Sequence, residues 1–262
     1  MKNLFSLEGR TALVTGGSRG IGKMIAAGFI EYGAKVYISA RKADACDATA
    51  AELSAKGGTC ISLPQDISTV EGCRALAAEF RKREPHLNIL VNNAGAAWGA
   101  EFDQFPEHGW DKVMDLNVKS PFFLTQALHA DLKAGASQEQ PAKVINIASI
   151  DGIKLNLLET YSYQASKAAM IYLTRRMAAT LVADQIVVTA IAPGPFSSDM
   201  NRAARDHAEA VAARTPLRRI GRDEDMAGAA IYLASRAGDY VVGDTIAVDG
   251  GIAYASLSPG PS

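Results

Sequence analysis

The chain has 262 residues, 48% of them hydrophobic, with 27 Lys and Arg against 28 Asp and Glu and a formal net charge of −1. Such a length and apolar content can supply one sizeable core, so a single domain over 1–262 is expected. The charges are balanced and interspersed, which removes the electrostatic footprint of a nucleic-acid or anionic-membrane partner.

The opening "MKNLFSLEGR" has no sustained apolar run, because Glu8 and Arg10 interrupt it. No later run is long enough to span a membrane, and the expectation is a soluble, unprocessed cytoplasmic protein. Strand-like runs then follow in order: "TALVT" (11–15), "KVYISA" (35–40), "CISLPQD" (60–66), "NILVNNA" (88–94), "KVINIAS" (143–149), "VVTAIAP" (187–193) and "TIAVD" (245–249). Between them lie segments of helical period, among them two long amphipathic stretches at 107–130 and 162–183, and a polar helix end and loop at 131–143. The apolar residues are nearly continuous within each run, as in strands covered by helices on both faces. This pattern predicts an α/β fold: a single-domain, Rossmann-like, doubly wound parallel sheet of seven strands. The Arg-rich segment 196–222 has no strand pattern and is a candidate substrate lid, while the tail "SLSPGPS" is expected to be loose.

Immediately after the first strand comes "TGGSRGIG", Thr15 to Gly22, and a helix follows. Glycines at 16, 20 and 22 permit a tight turn, close approach of backbone to a pyrophosphate, and close packing of helix on strand. The helix N-terminus adds free N–H groups and a positive dipole end. Cys46, Cys60 and Cys73 stand far apart with no C-x-x-C spacing, and His86, His108, His129 and His207 are scattered, so no metal site or disulfide framework is expected.

The spacing G-x-x-x-G-x-G, with "NNAG" (92–95), Ser149, "YQASK" (163–167) and "PG" (193–194), resembles the short-chain dehydrogenase/reductase family over essentially the whole chain. Within the family it looks most like bacterial β-ketoacyl reductases of the rhamnolipid-synthesis type. The resemblance implies a cofactor site made of Gly16, Ser18, Arg19, Gly20, Ile21 and Gly22 in the turn, Arg41 after the second strand, and Asp66 and Ile67 at the adenine. Asn93, Ala94 and Gly95 would lie beneath the adenosine and ribose. Pro193, Gly194 and the Phe196 backbone would lie beside the nicotinamide, and Ser198 near the pyrophosphate, where Thr is usual. Lys167 would also bind the nicotinamide ribose, and Asn117 would help position Lys167 through a water-linked proton relay.

Two tyrosines precede Lys167 in "ETYSYQASKAA". A helix advances about 100° per residue, so Tyr163, four residues away, lies about 40° from Lys167, whereas Tyr161 lies about 120° away. Tyr163 is therefore the expected proton donor, with the ammonium lowering the phenol's pKa. Ser149, ending the fifth strand, can hydrogen-bond the same substrate oxygen, and Tyr161 is left to packing or the pocket wall. The catalytic set expected is Asn117, Ser149, Tyr163 and Lys167.

The second strand ends at Ala40, followed by Arg41 and Lys42, so the acid that binds ribose hydroxyls in NAD-specific folds is missing. Arg19 can approach a 2′-phosphate from the other side, which favours NADPH. Asp44, the rival acid, is expected to cap the next helix. The activity expected is NADPH-dependent reduction of a ketone, foremost a β-ketoacyl thioester, by a homotetramer or homodimer. The alternatives are a polyol, sugar or steroid dehydrogenase, and a non-enzymatic dinucleotide-binding redox sensor.

Overall fold

The computed structural model describes residues 3–199 and 201–255; the tail expected to be loose, 256–262, lies outside them. Seven strands form one sheet: β1 (Thr11–Thr15), β2 (Lys35–Ser39), β3 (Thr59–Ser62), β4 (Ile89–Asn92), β5 (Ala142–Ile147), β6 (Ile186–Pro193) and β7 (Thr245–Val248). Their spatial order is β3-β2-β1-β4-β5-β6-β7, and every neighbouring pair is parallel.

Alternate residues of each strand enter opposite core layers, which is why the strands read as unbroken apolar runs. Val14, Ile38, Val91, Ile145 and Ile191 pack on one face under the helices α1 (Gly20–Glu31) and α2 (Ala43–Ser54). The helix numbered α10 below, Asp223–Ala234, completes that layer through Met226, Ala230 and Leu233. Leu13, Tyr37, Leu90, Val144 and Val188 pack on the other face against α3 (Val70–Arg81), α5 (Ser120–Ala127), α6 (His129–Ala134) and α7 (Tyr161–Leu181). At Gly28 of α1 an added Cβ would stand 2.6 Å from the Ala227 Cβ, so the glycine sets how closely α1 and α10 approach.

The stretch 107–130 is not one helix. It is α4 (Glu107–Met114), a π-helical turn over Asp115–Lys119, and then α5, with Pro121 in its first turn. The wide turn gives this segment one residue more than α-helical spacing allows, and Asn117, which it carries, reaches a distant backbone (below). Asp44 does not cap α2: Lys42 is the N-cap, and Asp44 lies inside the first turn, where its charge complements the helix dipole.

The 196–222 segment leaves β6 and returns to α10 carrying two short helices, α8 (Arg202–Asp206) and α9 (Ala208–Arg214). Its ends are tied by a parallel bridge between Phe196 and Gly221 and by the Gly221 N–H donating to the Pro195 carbonyl at 2.9 Å. Phe196 is buried, its ring lying where a side chain at Gly221 would go.

Candidate active site

Successive strands are added in one direction from β1 to β3 and in the other from β4 to β7, so the winding of the sheet reverses between β1 and β4, which opens a crevice beyond their carboxyl ends. The glycine turn follows β1, "NNAG" follows β4, Ser149 follows β5 and "PG" ends β6, so all four motifs converge on this edge.

The turn fits a dinucleotide's phosphates. Gly16 has φ +65°, and an added Cβ would stand 2.7 Å from Asn93 Nδ2; at Gly22 it would stand 2.3 Å from the Gly16 carbonyl oxygen. The α1 N-terminus carries no side-chain cap, which leaves its first-turn N–H groups for an anion. Asn93 holds the turn from beneath, donating from Nδ2 to the Thr15 and Gly16 carbonyls at 2.8 and 3.2 Å. Thr15 completes the brace: its Oγ1 accepts the Asn93 and Ala94 N–H groups, each at 3.0 Å, and donates to the Val91 carbonyl at 3.2 Å. Sequence reasoning did not single out Thr15, because a threonine ending a strand looks like any β-branched residue.

Arg19 is exposed and pairs with Asp199 at 2.6 Å, and Asp199 also binds Arg205 of α8 at 2.9 Å. Arg41 is exposed after β2, and Ser18 and Ile21 flank Arg19 in the turn. Ser198 lies across from the turn, its Cβ 3.2 Å from where a side chain at Gly20 would begin. Asp66 is exposed and its Oδ1 accepts the Ser68 N–H at 2.9 Å, while Ile67 is buried. Gly194 backs onto Asp249, and its N–H donates to the Val248 carbonyl at 2.9 Å, which fixes the end of β6 after Pro193.

Tyr163 and Lys167 sit on the same face of α7, with Lys167 Nζ 5.5 Å from the Tyr163 ring centroid. Lys167 is buried and its Nζ donates to the Ile147 carbonyl at 2.8 Å. The Ser149 hydroxyl lies near enough to the Tyr163 phenol to favour its ionised form. Asn117, on the π-helical turn, accepts the Ala96 N–H at 2.8 Å and donates to the Ala96 carbonyl at 2.9 Å and to Ser166 Oγ at 3.0 Å. It thereby clamps the strand after Gly95 to α7 one residue from Lys167. Tyr161 points away, stacking edge-on with Phe102 and Phe105 and donating to Glu159 at 3.1 Å.

One electrostatic expectation is corrected. Burial pushes the Tyr163 phenol up to about 12; the Ser149 hydrogen bond pulls it down and the nearby Asp151 charge pushes it further up. Burial also lowers Lys167 to about 8, opposed by Asp151. Desolvation is the largest influence on each group, so the phenol stands above its ordinary value rather than below it.

Beneath the site runs a buried polar chain that apolar periodicity does not reveal. Asn92 Nδ2 donates to Thr125 Oγ1 at 3.1 Å and to Asn146 Oδ1 at 2.9 Å, and Asn146 Nδ2 donates to Thr174 Oγ1 of α7 at 2.9 Å. It ties β4, β5, α5 and α7 together two turns below Lys167. The visible signal was an asparagine within each of two apolar runs, since a buried amide must be paired.

Among the described residues no group of His, Cys, Asp and Glu is placed to hold a metal ion, and no helix is long and apolar enough to cross a membrane. A family model described as enoyl-(acyl carrier protein) reductase matches residues 16–253. The chain is 49% identical to the rhamnolipids biosynthesis 3-oxoacyl-[acyl-carrier-protein] reductase of Pseudomonas aeruginosa, over 96% of this chain and 99% of the relative. It is 38% identical to a 2-dehydro-3-deoxy-D-gluconate 5-dehydrogenase of Dickeya dadantii, over 95% and 97% of the two chains. A solved NADP active-site complex of Pseudomonas aeruginosa RhlG superposes with a TM-score of 0.92 at 49% identity, covering 96% of this chain and 99% of that one. With the glycine cradle, the braced "NNAG" turn and the Ser149–Tyr163–Lys167 cluster at one sheet edge, the chain belongs to the short-chain dehydrogenase/reductase family.

Proposed function

We propose that this protein is an NADPH-dependent ketone reductase whose foremost substrate is a β-ketoacyl thioester. The observation that carries the reading is the Ser149 hydroxyl near enough to the Tyr163 phenol to act on it, with Lys167 Nζ 5.5 Å from the phenol ring: two hydroxyls border the place where one substrate oxygen would sit. Two hydroxyls on a single oxygen suit a carbonyl becoming an alcohol, and they distinguish this site's chemistry from reduction of a carbon–carbon double bond. A redox sensor without turnover would have no use for a proton donor so placed.

Bound NADPH supplies the hydride. The glycine turn, braced from beneath by Asn93, and the α1 N-terminus would hold its phosphates, Asp66 and Ile67 would border the adenine, and Pro193, Gly194 and Phe196 would shape the nicotinamide side. Ser149 holds the substrate oxygen, Tyr163 gives it a proton, and Lys167 stabilises the phenolate left behind. Asn117 positions Lys167 through the α7 backbone and Ser166. Arg41 and Arg19 would hold the cofactor's 2′-phosphate.

The apolar side chains Leu155, Leu157 and Leu158, exposed on the loop between Ser149 and α7, and the exposed Phe102, which packs on Tyr161, support an acyl substrate. The sugar-acid dehydrogenases among the relatives give the second reading, and the polar Asn156 on the same loop is the observation in its favour. The 196–222 segment acts as the substrate lid. The chain assembles as a homotetramer in the cytoplasm; exposed Trp110, Phe122 and Tyr172 on α4, α5 and α7, and the edge strand β7 with exposed Tyr240 and Val242 before it, support two separate contact faces.

The paired variants Tyr163→Phe and Tyr161→Phe test the reading. Tyr163→Phe is expected to lower kcat by about 10²–10⁴-fold while NADPH affinity, followed by fluorescence titration, stays within a few-fold. Tyr161→Phe should keep its turnover. A reversed pattern would refute the assignment.

A further inference from the structure

After β6 the chain crosses the glycine turn, where Ser198 Cβ lies 3.2 Å from the place a side chain at Gly20 would begin. The next residue, Asp199, faces Arg19 of that turn: Arg19 Nη1 donates to Asp199 Oδ2 at 2.6 Å, across 180 residues of sequence. The two partners are held very differently. Asp199 sits in a frame built from its own side of the cleft. The Asn201 N–H donates to Ser198 Oγ at 3.1 Å, the Ala204 N–H donates to Asn201 Oδ1 at 3.1 Å, and Arg205 Nη1 donates to Asp199 Oδ1 at 2.9 Å. Just upstream, the buried Phe196 is bridged to Gly221. Arg19 has no such frame. Its backbone is extended, its side chain makes no cap contact with α1, and that side chain is 73% exposed, so the guanidinium can turn about its long stem.

Arg19 is also one of the two cations assigned to the 2′-phosphate of NADPH, and a carboxylate fixed on the same guanidinium is a rival for it. We propose that Asp199 is a specificity-determining residue that competes with the 2′-phosphate for Arg19 and so narrows the preference for NADPH over NADH. The proposal rests on the reading of Arg19 as a phosphate ligand.

To engage Arg19, NADPH has to displace Asp199. NADH carries a neutral hydroxyl at that ribose position, so it binds with the Arg19–Asp199 pair intact, and the pair opposes one cofactor alone. The phosphate prevails in the exchange, because it brings about two negative charges and three acceptor oxygens to a guanidinium fork. Its gain is nevertheless the difference between two ion pairs rather than the whole of one. Asp199 is not left uncompensated, since Arg205 stays on its other oxygen. The exchange therefore gives up a single pair whose side chains are 73% and 52% exposed, and pairs so exposed are screened by solvent, which limits the effect to a few-fold.

The test is equilibrium fluorescence titration with NADPH and with NADH at low salt, where screening is least, in the native enzyme, Asp199→Asn, Arg19→Gln and the double variant, with folding checked by thermal melting. Asp199→Asn is expected to tighten NADPH by about two- to fivefold and to leave NADH unchanged. In the Arg19→Gln background the same substitution should change neither cofactor. Unchanged or weaker NADPH binding in folded Asp199→Asn overturns the proposal, and so does an equal gain for both cofactors, which would mark a general repulsion of the pyrophosphate. Should Asp199→Asn not fold, Asp199→Ser carries the same expectations. Arg19→Gln separates the two levels. If it leaves NADPH affinity unchanged, the reading of Arg19 fails; if it weakens NADPH while Asp199→Asn brings no gain, that reading stands and the competition alone is refuted.

Discussion

Tyr163 and Lys167 answer burial in opposite senses, one phenol held up to about 12 and one ammonium brought down to about 8. The phenol therefore stays protonated throughout the neutral range, and the first group to lose its proton as pH rises is Lys167. Reduction needs the phenol proton and a positive charge to stabilise the phenolate, so the reductive rate should be level below about pH 8 and fall as pH rises through it. Oxidation of the alcohol needs the phenolate and should rise only at more alkaline pH, toward the phenol's value of about 12. A pH–rate series in both directions checks this, and a reductive rate that climbs steadily above pH 8 would contradict it. At this scale the sequence was readable where covalent spacing fixes geometry: four residues along a helix place Tyr163 over Lys167 and turn Tyr161 away. Asp151, Thr15 and the Asn92–Asn146 pair were not readable, because their partners are brought to them only by tertiary packing.

At the scale of elements, the proposed reading of the cofactor's 2′-phosphate rests where β2 ends and α1 begins. Ala40 follows β2 without a carboxylate, Arg41 comes next, and Arg19 stands exposed in the glycine turn. Arg19 is paired with Asp199, an exposed partnership that solvent screens and a dianionic phosphate can displace. The double variant Ala40→Asp, Arg41→Ala should weaken NADPH binding by about tenfold or more, because one cation is lost and one anion opposes the phosphate. Equilibrium titration with NADPH and NADH measures it, and unchanged NADPH affinity would show that neither position reads the phosphate. The strand-helix alternation made these junctions legible in advance. The break of 107–130 into α4, the π-helical turn and α5 was not, although Pro121 marks where the second helix begins. The amphipathic period runs through the turn, and its cause, Asn117 reaching the Ala96 backbone, lies 21 residues away in sequence.

For the molecule as a whole, the seven-stranded doubly wound sheet followed from the pattern of apolar runs, because burial on both faces leaves a strand no room for polar alternation. What the pattern could not convey is where the exposed apolar faces go. Trp110, Phe122 and Tyr172 lie on one flank and Tyr240 and Val242 on another, beyond what a solitary chain needs to leave open. Sedimentation velocity at micromolar concentration is expected to give a tetramer, with a dimer as the dissociated form; a monomer would refute the assembly. The two kinds of relative, acyl-carrier-protein reductase and sugar-acid dehydrogenase, match this chain over nearly its whole length and carry names that give different substrates. The direct test of the central claim is NADPH oxidation by the purified protein with a β-ketoacyl thioester alongside 5-keto-gluconate at matched concentrations. The account predicts a higher kcat/KM for the thioester, and turnover of the keto-acid alone would contradict it.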